Sequence, residues 1–504
     1  MDTSQTIEEL MNFQRTIAAY NHATELLYYD GVTTAPSGTA ENRTASLATL
    51  SGEIYKLKTS PKTVELLEFL DAHRDKLSCE QTRMVELLIK DMRDMAKIPM
   101  DEYVAYQELL GQSEDVWHRA KQADDFEMFR PYLEKIFETA KRFAGYLAPD
   151  TDPYDYWLNE YEGGLNRQVC DNFFEKLRSR IVPLIKSVQA MPQVCDAIRY
   201  GSGEGAFAAS AQEKLSYYLM ESMGLDLNHV GLSTTEHPFT ISLGSHMDER
   251  ITTHYFEDDF VSSMYSVIHE GGHALYDTGS RAEYARTVLD GGVSMGIHES
   301  QSRFYENIIG RSRAYCKFIF PKLLELFGDR LDGYTAEDLY IAVNKVEPSL
   351  IRTEADEVTY ALHVMVRYEI EKAVMAGELE VRDIPARWNA LYKQYLGIDV
   401  PDDKHGCLQD SHWSGGAVGY FPSYALGSAY GAQFLAKMKE SVDVDACVEA
   451  GDFAPINAWN REHIWQYGCL YKPGELLNRV LGGAFDPEYY IAYLEGKCKD
   501  VYGI

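Results

Sequence analysis

Apolar residues recur every three or four positions along much of the chain, which is the period of an amphipathic α-helix. The clearest runs are Met84–Met95, Phe129–Leu147, Phe173–Val188 and Ala355–Val374. Gly377 follows the last of these runs, and glycine commonly marks the end of a helix. The pattern predicts a mainly α-helical fold in which the apolar stripes face a core.

Residues that favour β-structure are concentrated in two short runs, 237–244 and 250–255, on either side of a Gly-Ser-His-Met-Asp turn. They predict a small hairpin or sheet embedded among the helices. The glycine-rich stretch 201–205 lacks the preceding strand, the full glycine pattern and the Lys-Ser/Thr pair of a phosphate loop. We interpret it as a connector rather than a nucleotide site.

Composition and charge exclude several functional classes. The 504 residues include 48 Lys and Arg against 78 Asp and Glu, a net charge of −30, and such an acidic chain repels the phosphates of nucleic acids. The sequence offers no apolar run of about 18 residues that could span a membrane, and its start lacks the features of a secretory signal. Eight cysteines without Cys-x-x-Cys spacing are typical of reduced thiols. We expect a cytoplasmic protein that binds neither nucleic acid nor membrane.

One predicted helix carries the sequence His-Glu-Gly-Gly-His. Because His269 and His273 are four residues apart, both imidazoles can face one point, with Glu270 beside it. Two neutral imidazoles suit zinc, and a neighbouring carboxylate can take the proton of a metal-activated water. The alternative is a buried helix with two hydrogen-bonded histidines. Gly271 and Gly272 disfavour it, since each costs about 1 kcal/mol in a helix interior unless something must approach closely.

A catalytic zinc needs a third protein ligand and one open position. The segment 294–307 looks helical and carries His298 and Glu299, either of which could be the ligand by chemistry alone. A third His six residues after the second is ruled out, because glycine stands there. We choose Glu299, and note that cobalt or manganese accept the same donors. Asp277, one turn beyond His273, could support a ligand but is expected to be a solvated helix-end carboxylate.

Six short motifs, in order, resemble those of the carboxypeptidase Taq family of metallocarboxypeptidases. They are His237-Pro-Phe239, Asp248-Glu-Arg-Ile-Thr252, His269-Glu-Gly-Gly-His273, His298-Glu-Ser-Gln301, Ile351-Arg-Thr-Glu-Ala-Asp356 and Gly406-Cys-Leu-Gln-Asp-Ser-His-Trp413. Weaker similarity in 29–36 and 153–163 extends the resemblance over nearly the whole chain. The chain departs from the family at Tyr29, where Trp is usual, and at Ala35, where Met is usual, and both positions lie outside the chemistry.

The resemblance implies that His269, His273 and Glu299 bind the metal and that Glu270 is the general base. It implies an elongated, two-lobed helical fold with a deep cleft, similar to the thimet oligopeptidase and angiotensin-converting enzyme group, commonly assembled as a homodimer. It also implies removal of single residues from peptide C-termini, with broad tolerance and a poor fit for proline near the cut.

We therefore predict one metallocarboxypeptidase domain over 1–504. Residues 1–150 form an N-terminal helical lobe or lid, and residues 151–504 form the catalytic helical region with the metal site. One small β-sheet is expected near the active site.

An exopeptidase must hold a free carboxylate, which the two-pronged donors of arginine suit. Arg352, near the start of a predicted helix, and Arg250, on the β segment, are the candidates, and the resemblance adds His237. A structural salt bridge is the alternative for each arginine. We expect the acidic residues to lie on the outer surface, with Arg250, Arg352 and the metal forming a cationic pocket inside.

Peptide hydrolysis also needs donors directed at the developing oxyanion. His412 precedes a glycine-rich stretch that could let Tyr420 or Tyr424 approach the metal. This looks like the His-plus-Tyr arrangement of the related helical peptidases. Simple packing is the alternative for each tyrosine, because the chain has 35 of them. We interpret Gln409 and Asp410 as supports of this loop.

The sequence thus predicts a metallocarboxypeptidase with one zinc per subunit, which acts on peptides through metal-activated water. The nearest alternative is an endo-oligopeptidase on the same scaffold. An alternative from another class is a non-catalytic peptide-binding protein with a vestigial metal site.

Overall fold

Helices make up most of the computed structural model, which describes residues 2–201 and 206–504. The predicted connector at 201–205 therefore lies almost wholly outside the described residues. The helices before the sheet are α1 (Thr3–Thr33), α2 (Ala40–Thr59), α3 (Pro61–Asp71), α4 (Cys79–Lys97), α5 (Met100–Ala123), α6 (Phe126–Leu147), α7 (Pro153–Tyr161), α8 (Arg167–Gln189) and α9 (Ala209–Met223).

The remaining helices follow a three-stranded sheet of β1 (Val230–Thr234), β2 (Thr240–Ser242) and β3 (Glu249–Thr253). They are α10 (Phe260–Thr278), α11 (Met295–Arg303), α12 (Arg313–Phe327), α13 (Ala336–Val343), α14 (Glu357–Ala376), α15 (Ile384–Tyr395), α16 (Pro422–Met438), α17 (Val444–Glu449), α18 (Ala454–His463), α19 (Pro473–Leu481) and α20 (Glu488–Tyr502). None of the described helices has a stretch long and apolar enough to cross a membrane.

The four apolar runs in the sequence all form helices, which confirms the mainly α-helical prediction. They lie in α4, α6, α8 and α14, and their periodic residues face the core. Asp125 begins α6 by accepting a hydrogen bond from the Met128 backbone N–H at 3.3 Å. Gly377 ends α14 with φ of 75°, a left-handed conformation that glycine adopts without a steric penalty.

The small sheet has the strand order β1-β3-β2. The antiparallel pairing of β2 with β3, with Ile241 opposite Arg250, confirms the predicted hairpin. Strand β1 was not predicted; it pairs in parallel with β3, placing Leu232 opposite Ile251. A parallel neighbour is joined by a long connection and leaves no turn signal in the sequence. Only Val230 and Leu232 are large apolar residues in this five-residue strand, so its local signal is weak.

The apolar core has two parts. The larger one extends from α4 to α20, whereas a smaller cluster lies between α1, α3 and α4 and includes Leu10, Leu67, Leu70, Val85 and Ile89. Helix α2 contributes no buried residue to either part. The N-terminal helices therefore have a core of their own, while the predicted boundary at residue 150 stays a prediction.

Helix α11 packs closely against helices on both sides. A Cβ atom on Gly272 of α10 would lie 2.7 Å from the Ser302 Cα atom of α11. On the other side, a Cβ atom on Gly427 of α16 would overlap the Cβ atom of Glu299. Two glycines thus let three helix backbones approach one another, which explains why glycine occupies the interior of α10.

The start of α11 is fixed by two caps. The Ser294 hydroxyl accepts a hydrogen bond from the Ile297 N–H at 3.3 Å. The buried Glu162 carboxylate, at the end of α7, accepts a second one from the Gly296 N–H at 2.9 Å. Burial raises the pKa of Glu162 to about 7, against the lowering effect of its hydrogen bonds with Ser294, Gly296 and Tyr430. The helix that carries Glu299 is therefore held at its sides and at its N-terminus.

Replacing Gly272 with alanine should destabilise the protein by about 1–3 kcal/mol, because the methyl group meets backbone rather than a movable side chain. The matched control is Gly111→Ala in α5, where the added Cβ meets open space and alanine is the better helix former. Urea unfolding of the metal-free proteins measures both changes. Equal stability of the two variants would contradict the close contact described here.

Candidate functional site

Three predicted metal ligands converge at one point. His269 and His273 come from successive turns of α10, and Glu299 comes from the middle of α11. One nitrogen of each imidazole and one oxygen of the carboxylate all lie within 4.8 Å of one another. The Glu299 carboxylate also accepts a hydrogen bond from the Ser302 hydroxyl at 3.0 Å. Two imidazoles and a carboxylate at this spacing suit a divalent metal.

The His269 ring is oriented by a carboxylate that sequence reasoning missed. Its Nδ1 atom lies 2.8 Å from the Glu306 carboxylate, in the π-helical turn Phe304–Ile309. Burial alone would raise the pKa of Glu306, but Arg303, His269 and Arg311 hold it well below its ordinary range. Glu306 therefore accepts the Nδ1 proton and leaves Nε2 free for a metal. No short motif marks Glu306, because the local helix type decides where it points.

The His273 ring has a different neighbour. Its Nδ1 atom lies 2.8 Å from the Nδ1 atom of His298, and the Nε2 atom of His298 lies 3.1 Å from the Asp277 carboxylate. His298 thus contacts the predicted ligand His273 instead of joining the predicted ligand set. The prediction that Asp277 is a solvated carboxylate is wrong, because this residue is only 6% exposed. His298 and the loop after residue 290 cover the end of α10.

Glu270 lies beside the ligand set and is held by strand β2. The Thr240 hydroxyl is 2.6 Å from the Glu270 carboxylate and 3.0 Å from the Glu270 backbone carbonyl. Burial raises the pKa of Glu270, and this outweighs the lowering effect of His269 and Thr240. A carboxylate with a raised pKa can accept a proton and give it back near neutral pH.

These residues line a cavity of about 1380 Å³. The edge strand β2 forms one wall, and the loop 404–412 forms another. The cavity also contains the other predicted site residues except Arg250, namely His237, Arg352, His412, Tyr420 and Tyr424. This volume accommodates a peptide segment rather than a single small ligand.

Comparison with known proteins assigns this chain to a family. The profile described as carboxypeptidase Taq (M32) metallopeptidase matches residues 9–498. The chain belongs to the carboxypeptidase Taq family. It is 39% identical to carboxypeptidase 1 of Bacillus subtilis, over 98% of both proteins. It is 34% identical to thermostable carboxypeptidase 1 of Pyrococcus furiosus, again over 98% of both.

Solved structures agree with this assignment. The crystal structure of the M32 carboxypeptidase from Deinococcus radiodurans R1 superposes with a TM-score of 0.95 at 36% identity, covering 99% of this chain and all of that one. Metallocarboxypeptidase 1 of Trypanosoma cruzi gives a TM-score of 0.92 at 33% identity. The chain is thus a metallocarboxypeptidase that uses a divalent metal and acts on peptides. The predictions of an endo-oligopeptidase or a non-catalytic binding protein are not favoured.

Within this M32 carboxypeptidase, Arg352 lies in a buried charge network. Its guanidinium group donates to the Asp410 carboxylate at 3.0 Å and to the Tyr360 hydroxyl at 2.9 Å. Arg367 donates to the other Asp410 oxygen at 2.6 Å. The Gln409 side-chain oxygen accepts hydrogen bonds at 2.8 Å from the Arg352 backbone N–H and from the Arg367 guanidinium group. This agrees with the interpretation of Gln409 and Asp410 as loop supports. Arg352 therefore lines the cavity while its guanidinium group is paired with the Asp410 carboxylate.

The other predicted arginine lies elsewhere. Arg250, on β3, pairs with Asp248 at 2.7 Å and is not among the described residues that line the cavity. The cavity wall has four Lys and Arg residues against seven carboxylates, which are Glu25, Glu236, Glu270, Asp277, Glu299, Glu354 and Asp410. The predicted cationic pocket is therefore wrong. Predicted metal ligands and ion-pair partners bring acidic groups into the cavity that the total charge does not reveal.

His412 and Tyr424 form a hydrogen-bonded pair in the cavity wall. The His412 Nε2 atom lies 2.9 Å from the Tyr424 hydroxyl, and its buried Nδ1 atom has no hydrogen-bond partner within the described part of the chain. Burial and Arg352 lower the pKa of His412 to about 3, so that the ring is neutral. Burial raises the pKa of Tyr420 to about 12, and its ring packs 5.5 Å from that of His412.

The loop between His412 and Tyr420 is held from behind by Glu371. This buried carboxylate accepts hydrogen bonds from the Trp413 indole at 2.7 Å, the Gly419 N–H at 2.9 Å and the Tyr154 hydroxyl at 2.9 Å. Burial raises the pKa of Glu371 to about 7, against the lowering effect of its three donors. Sequence reasoning missed this residue, which is one of several buried polar residues on α14, along with Glu357, His363 and Arg367.

Replacing Asp410 with asparagine should destabilise the protein by about 3–5 kcal/mol, because Arg352 and Arg367 lose a buried partner charge. The two arginines hold the pKa of Asp410 well below its ordinary value of 3.8. The ionised Asp410 carboxylate therefore makes its full contribution to the free energy of unfolding at neutral pH. This contribution is lost only in acid, as the pH falls below about 4 toward the folded-state pKa.

Urea unfolding at pH 7 measures the effect. The matched control is Asp399→Asn, which removes a carboxylate that is 83% exposed and paired with Lys393 at the surface. It should change stability by less than about 0.5 kcal/mol. Similar losses in the two variants would contradict the importance of the buried network.

Proposed function

We propose that the protein releases single amino acids from the C-termini of peptides, with broad specificity and one zinc per subunit. The observation that supports this most directly is the convergence of His269, His273 and Glu299 beside Glu270 in a peptide-sized cavity. Carboxypeptidase activity is named for the relatives from B. subtilis and P. furiosus.

Zinc fits the donor set. Each histidine has its Nδ1 atom engaged by another side chain, so both Nε2 atoms are free to bind the metal along with a Glu299 oxygen. When bound there, zinc would acidify a water molecule and polarise the scissile carbonyl. Cobalt and manganese accept the same donors.

Glu270 is the proposed general base. It takes a proton from the attacking water and later gives this proton to the leaving amine. The Thr240 hydroxyl fixes one carboxylate oxygen, which directs the other toward the cavity. The raised pKa of Glu270 suits this return of the proton.

The substrate is proposed to lie along β2 with its terminal carboxylate near Arg352. The Asp410 and Tyr360 contacts fix the guanidinium group, and its remaining N–H donors are available for a carboxylate. His237, with an 81% exposed side chain at the cavity mouth, is the proposed second contact. Arg250 remains a candidate through the family resemblance alone.

His412, supported by Tyr424, is the proposed oxyanion donor. Its Nε2 atom lies 2.9 Å from the Tyr424 hydroxyl, and both residues line the cavity, so the N–H and O–H donors of this pair are close to where the oxyanion would form. Tyr420, which also lines the cavity, is the alternative donor. A buried neutral donor favours negative charge on the substrate oxygen without competing water.

We also infer a cytoplasmic homodimer. The dimer rests on the family resemblance, and the location rests on reduced cysteines and an acidic composition. Light scattering of the purified chain measures its oligomeric state directly.

Incubating a mixed peptide pool with the enzyme should give C-terminal ladders in mass spectra, because residues are removed one at a time from one end. A metal chelator should abolish the ladders, and added Zn²⁺ should restore them. Peptides with an amidated C-terminus are the matched control and should stay intact, since they lack the carboxylate. Rapid internal cleavage of the amidated peptides would contradict the carboxypeptidase proposal.

Glu270→Gln should lower kcat by about 100- to 10,000-fold while the protein still binds one zinc, because the change removes the base but no metal ligand. The control Glu283→Gln alters a glutamate whose side chain is 70% exposed and should leave kcat unchanged. Peptide hydrolysis and zinc content are measured on the same samples. Full activity of the Glu270 variant would exclude this mechanism.

A further inference from the structure

His298 is a half-buried polar residue for which the proposed reaction has no role. It precedes the proposed ligand Glu299 in α11, and its ring lies between His273 and Asp277. Both of its nitrogens are engaged, by His273 at 2.8 Å and by Asp277 at 3.1 Å. The ring therefore connects a proposed ligand to a buried carboxylate.

Only one placement of protons satisfies both contacts when His273 binds a metal. His273 can use only Nε2 for the metal, because its Nδ1 atom faces His298. Its proton must then be on Nδ1, which donates to the Nδ1 atom of His298. A neutral His298 consequently carries its own proton on Nε2, where the Asp277 carboxylate accepts it.

Residues of the neighbouring loop and of α10 pack closely against the His298 ring. A Cβ atom on Gly292 would overlap the His298 ring and lie 2.6 Å from the Tyr276 ring. The Tyr276 hydroxyl accepts a hydrogen bond from the Val293 N–H at 3.2 Å, which fixes the loop against α10. Only glycine at position 292 leaves room for the imidazole.

We propose that His298 and Asp277 are positioning residues that fix the metal-binding tautomer and the orientation of His273 through two consecutive hydrogen bonds. The inference rests on the proposed zinc site and extends it. The two histidine ligands are thus supported differently: His269 contacts the Glu306 carboxylate directly, whereas His273 reaches the Asp277 carboxylate only through a second imidazole.

The test is the affinity of the full-length chain for Zn²⁺, measured by competition with a zinc-binding dye. His298→Ala removes both hydrogen bonds and should weaken zinc binding by about 10- to 100-fold. His298→Asn keeps an oxygen acceptor close to the place of Nδ1 and should recover part of that loss. Asp277→Asn leaves the imidazole but removes its charged acceptor, and it should also weaken binding.

Asp258→Asn is the matched control for charge, because Asp258 is an exposed residue just before the other end of α10. It should bind zinc as the parent protein does. Thermal unfolding of the metal-free variants separates positioning from general stability, since the inference expects the zinc affinity to change more than the unfolding temperature.

Unchanged zinc affinity in His298→Ala would overturn the inference. If that variant does not fold, Asp277→Asn carries the test, and unchanged affinity there would overturn it equally. Equal affinities of the Asn and Ala variants at position 298 would also overturn it, because an acceptor would then have no effect. Failure of the parent protein to bind zinc would instead contradict the proposed function.

Discussion

The close contact of α11 with α10 and α16 is the constraint on which the site depends. Gly272 and Gly427 bring three helix backbones together, and this distance places Glu299 opposite His269 and His273. Since protein interiors are close-packed and resist compression, a shift of α11 would move the carboxylate and its neighbours together. The arrangement of the three proposed ligands therefore depends on backbone packing as much as on residue chemistry.

Much of the fold and the centre of the site could be predicted from the sequence. The 3.6-residue period is a local signal, so α6, α8 and α14 were found close to their observed bounds. The proposed ligands on α10 follow from the same period, because residues four apart lie about one turn apart on the same face of a helix. The glycines of α10 also correctly indicated that another group approaches this helix closely, because Gly272 contacts the backbone of α11.

The remaining features depend on contacts between distant parts of the chain. Glu306 reaches His269 only because a π-helical turn redirects it, and the apolar period of α14 does not indicate that Glu371 is buried and hydrogen-bonded to a distant loop. Asp277 was expected in solvent because its helix ends there, but a loop from later in the chain covers it. The prediction of a cationic pocket was wrong for a similar reason, because the net charge of the chain does not reveal which carboxylates line the cavity.

Strand β2 has two roles, one in forming the cavity wall and one in positioning Glu270. It forms the open edge of the sheet along the cavity, and it carries Thr240, whose hydroxyl holds the Glu270 carboxylate. A peptide that lies along this edge, as proposed, would restrict the motion of the strand and of Thr240 with it. Residues far from the scissile bond would then influence the proton-transfer step itself, so that a longer peptide gains catalytic rate as well as binding.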